Sequence, residues 1–267
     1  MNNLPTRAKE LLESKTVQVI IGYEAGTNGV ARPAFITDAA KTDALIYDER
    51  CVQNLAVYLT KKEVKKFGKM GIVATLPVMR SIMMLISEQQ LFAENVVILG
   101  VSEDGNLLDI AGIEVMKSYI EKSNLGNPAK DQLLLAELNK LSLEEKFAYW
   151  QKELSKCIKC YACRQSCPMC YCTRCTVECN QPQWIPVQSN THGNMDWHIL
   201  RAMHLAGRCI SCGECGRACP VNIPCHLLTM QLADQVHHYF KVHAGTSETM
   251  NSVLSTYDPS DKENFIL

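Results

Sequence analysis

The spacing of apolar positions in the first 150 residues predicts strands that alternate with helices. Apolar, β-branched runs predict strands at 17–23, 34–37, 71–76 and 95–101. Helical periodicity over 79–91 follows Pro77, a residue that the first turn of a helix tolerates. Because this helix joins strands 71–76 and 95–101, those strands are expected to run parallel. The glycine-containing stretch 22–29 lacks a phosphate-loop pattern and predicts a hairpin turn.

Several further segments of the chain are predicted to be helical. The periodicity predicts a helix over 48–59 and helices with loops over 106–141. Ser142 and Glu145 form a capping-box pattern that opens a further helix. Two more helices are expected at 196–207 and 227–242. The predicted fold class is α+β overall, and its predicted units are an N-terminal α/β domain with a partly parallel sheet over 1–150, a mainly helical domain over 151–243 and a polar tail over 244–267.

Composition excludes several classes of function. The 267 residues carry a formal net charge of −1, so the composition does not indicate a basic surface that would bind nucleic acid. No run of about 20 apolar residues predicts a transmembrane segment, and no apolar stretch behind Met1 resembles a secretory signal. With 14 cysteines, the chain is expected in the reducing cytoplasm of an anaerobe.

Eight of these cysteines form one spacing twice. Residues 157–168 read CIKCYACRQSCP and residues 209–220 read CISCGECGRACP. Each run is C-x2-C-x2-C-x3-C-P, the spacing that bacterial ferredoxins use for 4Fe-4S clusters. Two runs predict two cubane clusters, and such clusters are typical of proteins that transfer single electrons.

The ligands are expected to cross between the runs. In two-cluster ferredoxins the cysteine before the proline serves the other cluster. The first cysteine set is therefore predicted to be Cys157, Cys160, Cys163 and Cys219. The second cysteine set is predicted to be Cys209, Cys212, Cys215 and Cys167. Disulfides and zinc are the alternatives: disulfides do not suit a reducing compartment, and zinc would leave a surplus thiolate in each run.

Six cysteines lie outside these sets. Four of them are close in sequence and leave room for a third site, iron–sulfur or zinc: Cys170, Cys172, Cys175 and Cys179. Cys51 and Cys225 are interpreted as buried packing residues. His204 is a candidate hydrogen-bond donor to a cluster. No Ser-His-Asp triad or carboxylate pair stands out as a catalytic group.

The cysteine runs also carry a family resemblance. The segments 51–59, 157–175 and 206–215 resemble the β subunits of deazaflavin (coenzyme F-420) hydrogenases and formate dehydrogenases. The resemblance implies a subunit of an anaerobic multisubunit oxidoreductase. Its partners would be other redox subunits, of flavoprotein, hydrogenase, formate dehydrogenase or heterodisulfide-reductase type, with soluble ferredoxin as a further candidate carrier.

The first half departs from this family. The segment 74–80 reads ATLPVMR where relatives often have Lys-Gly-Cys-Asp, and 101–104 lacks a further cysteine. The sequence therefore predicts a non-catalytic electron-transfer subunit with two 4Fe-4S clusters. The alternative is an FAD-containing subunit that exchanges hydride with a nicotinamide or deazaflavin. A zinc-stapled interaction module is a third class.

Overall fold

The structure, a computed structural model, describes residues 4–177, 182, 185–249 and 252–254. Its fold is mixed α/β, and the described strands all lie within residues 19–100. The strands are β1 (Val19–Ala25), β2 (Ala31–Ile36), β3 (Leu45–Ile46), β4 (Met70–Ala74) and β5 (Val96–Gly100). The helices are α1 (Leu4–Glu13), α2 (Lys62–Lys65), α3 (Leu76–Ser87), α4 (Ile113–Glu121), α5 (Ala129–Lys140), α6 (Leu143–Ser155), α7 (Ala162–Gln165), α8 (Thr191–Leu205), α9 (Glu214–Arg217) and α10 (Cys225–Phe240).

The sheet is partly parallel, as predicted. Its main order is β2-β1-β4-β5, and the short β3 also pairs with β1. β4 lies parallel to both β1 and β5, whereas β2 is antiparallel to β1 and completes the predicted hairpin. Every residue of β4 is buried, which explains the continuous apolar run in this central strand.

The predicted helix over 48–59 is wrong. This stretch contains turns, followed by a 3-10 helix over Leu55–Thr60. The Asp48 side chain accepts a hydrogen bond from the Arg50 backbone N–H at 3.0 Å, and Asn54 accepts one from Ala56 N–H at 3.2 Å. Short polar side chains that bond nearby backbone groups compete with α-helix formation, and here they prevent it.

The predicted capping box at the start of α6 is present. Glu145 N–H donates to Ser142 Oγ at 3.2 Å, and Ser142 N–H donates to Glu145 Oε2 at 2.8 Å.

Because Ser142→Ala exposes an unpaired helix-terminal N–H, it should lower the free energy of unfolding by about 1 kcal/mol. Ser155→Ala, at the other end of α6, is the control and should change it by only a few tenths. Equal effects in urea unfolding would contradict the role of the cap.

Among the described residues there are two apolar cores, beside a small third cluster of Leu135, Leu227 and Met230. The larger one surrounds the sheet, and it also takes in Met169, Leu205, Ile210 and Ala244 from beyond residue 151. The smaller core gathers cysteines from both runs around Trp197. The N-terminal sheet region and the cysteine-rich region therefore pack directly against each other. Among the described residues, the structure contains no helix with the length and apolar character needed to cross a membrane.

Candidate metal centres

The two cysteine runs have the same backbone conformation. Lys159 and Tyr161 in the first run are left-handed, with φ of 52° and 59°. Ser211 and Gly213 occupy the same positions in the second run, with φ of 59° and 74°. Each left-handed pair leads into one short helix, α7 or α9. The repeated sequence therefore folds into a repeated local structure.

Backbone amides point at the cysteine sulfurs in both runs. Lys159 N–H donates to Cys157 Sγ at 3.3 Å, and Ser211 N–H donates to Cys209 Sγ at 3.4 Å. A third amide, that of Ile223, donates to Cys219 Sγ at 3.3 Å. Such hydrogen bonds stabilise negative charge on sulfur, the form in which a thiol binds metal.

The structure brings the predicted first cysteine set together. A cavity at the end of α6 is lined by all four of its members: Cys157, Cys160, Cys163 and Cys219. Burial raises the pKa of Cys157, and the charges of the other three cysteines raise it further. Cys219 thus faces the three cysteines of the other run.

The predicted second cysteine set is also grouped. Burial raises the pKa of Cys212, and the nearby charges of Cys167, Cys209 and Cys215 affect the same thiol. Burial also raises the pKa of Cys209 to about 11. Four thiolates at such a place need compensation by positive charge, which metal binding supplies as it displaces the thiol protons.

Cys225 lies between the two sets, a position that its sequence did not suggest. It is buried, as predicted, and its Sγ donates to the Cys215 carbonyl oxygen at 3.3 Å. Its thiol also lies near the sulfurs of Cys163 and Cys215, one from each set, and interactions with these two cysteines raise the pKa of the Cys225 thiol. A single side chain therefore bridges the two groups. Only its tertiary neighbours distinguish it from an ordinary core cysteine.

Helix α8 turns buried nitrogen atoms towards the cysteines. Trp197 Nε1, His198 Nε2 and Arg201 Nε are all buried and have no hydrogen-bond partner among the described residues. Trp197 and His198 line the cavity of the first cysteine set. Burial lowers the pKa of His198 to about 4, with further effects from Arg201 and Lys159, so its ring is neutral at pH 7.

The histidine expected near a cluster is therefore a different one. His204, the candidate from the sequence, is exposed and does not line the cavity, whereas His198 does. Helical spacing places residues 194, 198, 201 and 205 on one buried face. The polar side chains Asn194, His198 and Arg201 on this face are buried.

The donor set fits iron–sulfur clusters. Each group offers four sulfur ligands, and unpartnered N–H donors face the first group. Across the part of the chain that the structure describes, no three Cys, His, Asp or Glu side chains converge closely enough for a single metal ion. A cubane requires wider spacing, because its four ligands bind four different irons.

The described cysteines of the predicted third site have different surroundings. Cys170 N–H donates to the Cys167 carbonyl oxygen at 3.1 Å, and its side chain packs against the larger core. Cys175 packs against the smaller core, and Cys172 is exposed. Cys179 lies outside the described residues. A third site at these cysteines therefore stays a prediction.

The second cysteine set lies against the N-terminal sheet region. Arg80 of α3 is buried and donates to the carbonyl oxygens of Ala244 and Ile210 at 2.9 and 3.0 Å. The charges of Cys209 and Cys212 also act on Arg80. A buried cation of α3 therefore faces the second set.

Comparisons with known proteins bear on the family. No family model matches the chain. Over 95 residues, 34% of this chain, it is 36% identical to the protein of Methanocaldococcus jannaschii named F420-dependent formate dehydrogenase subunit beta. Over that stretch, this chain is homologous to such a beta subunit. The resemblance predicted from the sequence is thus confirmed.

The extent of the similarity is limited. The aligned part spans 24% of the Methanocaldococcus jannaschii subunit. A shorter alignment of 38 residues is 47% identical to F420-dependent formate dehydrogenase 1 subunit beta of Methanococcus maripaludis, covering 13% of this chain and 10% of that protein. The chain therefore matches only about a quarter, or less, of these relatives' own length.

Proposed function

We propose that this chain is an electron-transfer subunit of an oxidoreductase complex and holds two 4Fe-4S clusters. The observation that carries the proposal is the grouping of the two predicted cysteine sets around the shared residue Cys225. The ligands would be Cys157, Cys160, Cys163 and Cys219 for one cluster and Cys209, Cys212, Cys215 and Cys167 for the other. When bound, each cluster supplies a site that accepts and releases one electron.

The protein itself would hold the clusters in place and stabilise the negative charge on their sulfur ligands. Backbone amides at Lys159, Ser211 and Ile223 donate to ligand sulfurs. The contact through Cys225 keeps the two sets adjacent, which suits electron transfer between them. One electron would arrive from a reduced centre of a partner subunit and leave to an oxidised one-electron carrier. No bond forms or breaks within the chain.

The two sets differ in their surroundings, which suggests different neighbours. Cys160 of the first set is exposed, and Ile158 beside it is 59% exposed. The second set instead faces the core around the N-terminal sheet. We therefore propose that a partner redox subunit or soluble carrier approaches the first set. The names of the relatives support formate dehydrogenase as the kind of complex involved.

Reductive titration of the anaerobically purified protein tests this proposal. The visible absorption should bleach with about two electrons per chain, one for each cubane. The acid extract provides a second readout, because the hydride-exchange alternative requires a released yellow flavin. A protein that takes up no electrons before flavin is added would contradict the proposed relay.

A further inference from the structure

The buried guanidinium of Arg201 lies where the two cysteine sets meet. Arg201 is only 5% exposed, and its Nη2 donates to the Cys163 carbonyl oxygen at 2.9 Å. Its Nε has no hydrogen-bond partner among the described residues. A buried charge is costly unless an opposite charge compensates it, so this position requires an anion.

The anions near Arg201 are cysteine sulfurs rather than carboxylates. Burial disfavours its charge, but the negative charges of Cys215, Cys167, Cys170 and Cys163 outweigh that effect and raise its pKa well above the usual value. Cys163 belongs to the first set, whereas Cys215 and Cys167 belong to the second. No carboxylate forms a salt bridge with Arg201 in the described ranges.

Three other cations near the runs form ion pairs with carboxylates. Lys156 pairs with Glu153 at 2.7 Å, Arg217 pairs with Glu214 at 2.7 Å, and Arg208 pairs with Glu88. These pairs are neutral as units and add little net positive potential at the cysteines. Arg201 differs from them because it has no carboxylate partner and lies deeper.

We infer that Arg201 is a positioning residue that serves as the shared counter-ion of both 4Fe-4S clusters. This inference rests on the proposed function. A cubane with four thiolate ligands is an anion, and reduction adds one more negative charge. A fixed buried cation therefore favours the reduced state, and one placed between two clusters favours it at both. Removing the charge should make both clusters harder to reduce.

The test is a redox titration followed by electron paramagnetic resonance, after iron analysis of each protein. Arg201→Met should lower the reduction equilibrium constant of both clusters by about tenfold, or ~59 mV for a one-electron couple. Arg201→Lys keeps the positive charge and should shift both reduction potentials by less than Arg201→Met does. Arg32→Met is the control: it removes an equal charge from an exposed pair with Glu24, and both potentials should stay unchanged.

The outcomes separate this inference from the proposed function. A wild-type protein without iron would reject the two-cluster function itself. A loaded Arg201→Met protein with unchanged potentials, or with only one changed, would overturn the shared role of Arg201. If Arg201→Met loses iron while Arg201→Lys retains it, the charge is required and the inference stands. Equal loss of iron in both variants would overturn it, because the charge alone would then be insufficient.

Discussion

Cys219→Ala should remove the cluster of the first cysteine set, although Cys219 lies in the second run. In the structure its sulfur lines the cavity together with Cys157, Cys160 and Cys163. Loss of one thiolate leaves one iron of a cubane without its protein ligand. The variant should therefore retain about four of about eight irons per chain. Iron analysis and electron paramagnetic resonance of the reduced protein measure this loss.

Comparison among variants tests the crossing of ligands directly. Cys160→Ala and Cys219→Ala should both lose the cluster of the first cysteine set and show only the spectrum of the second. Cys212→Ala should lose the cluster of the second set and show only the spectrum of the first. Cys51→Ala is the matched control, because Cys51 is buried in the larger core and belongs to neither set. A Cys219→Ala spectrum that matches Cys212→Ala would show that each run holds its own cluster.

Arg80→Met should lower the free energy of unfolding of the cluster-loaded protein by on the order of 3 kcal/mol. Arg80 donates through Nε and Nη2 to Ala244 O and through Nη1 to Ile210 O, and all these groups are buried. Methionine fills a similar volume but leaves both carbonyl oxygens without these donors. The variant should thus loosen the contact between α3 and the region around the second cysteine set.

Urea unfolding monitored by circular dichroism measures the effect of Arg80→Met. Arg7→Met is the control, because Arg7 forms an exposed pair with Glu10 at 2.9 Å and such pairs contribute at most about 1 kcal/mol. A loss below about 1 kcal/mol for Arg80→Met would contradict the structural role assigned to its hydrogen bonds.

The sequence predicts the local features well where one physical signal dominates. Buried β4 appears as a continuous apolar run, and the α6 capping box appears as Ser142 and Glu145. The stretch before Leu55 is not helical, although its apolar residues have helical spacing. There the hydrogen bonds accepted by Asp48 and Asn54 decide the conformation, and periodicity does not report them.

The tertiary contacts of the candidate site cannot be predicted from the sequence as well as its cysteine sets can. The cysteine spacing predicts which sulfurs belong together, and the structure groups them in that way. The positions of Cys225 and Arg201 depend on contacts between segments that are far apart in sequence. Arg201 in particular resembles a solvent-facing helical residue until its burial between the two sets is known.

Iron and acid-labile sulfide, measured per chain in anaerobically purified protein, test the central claim most directly. Two cubane clusters predict about eight irons and about eight sulfides. Zinc without iron or sulfide, or markedly fewer than eight irons in a protein whose thiols are all reduced, would contradict the claim that this chain carries two 4Fe-4S clusters.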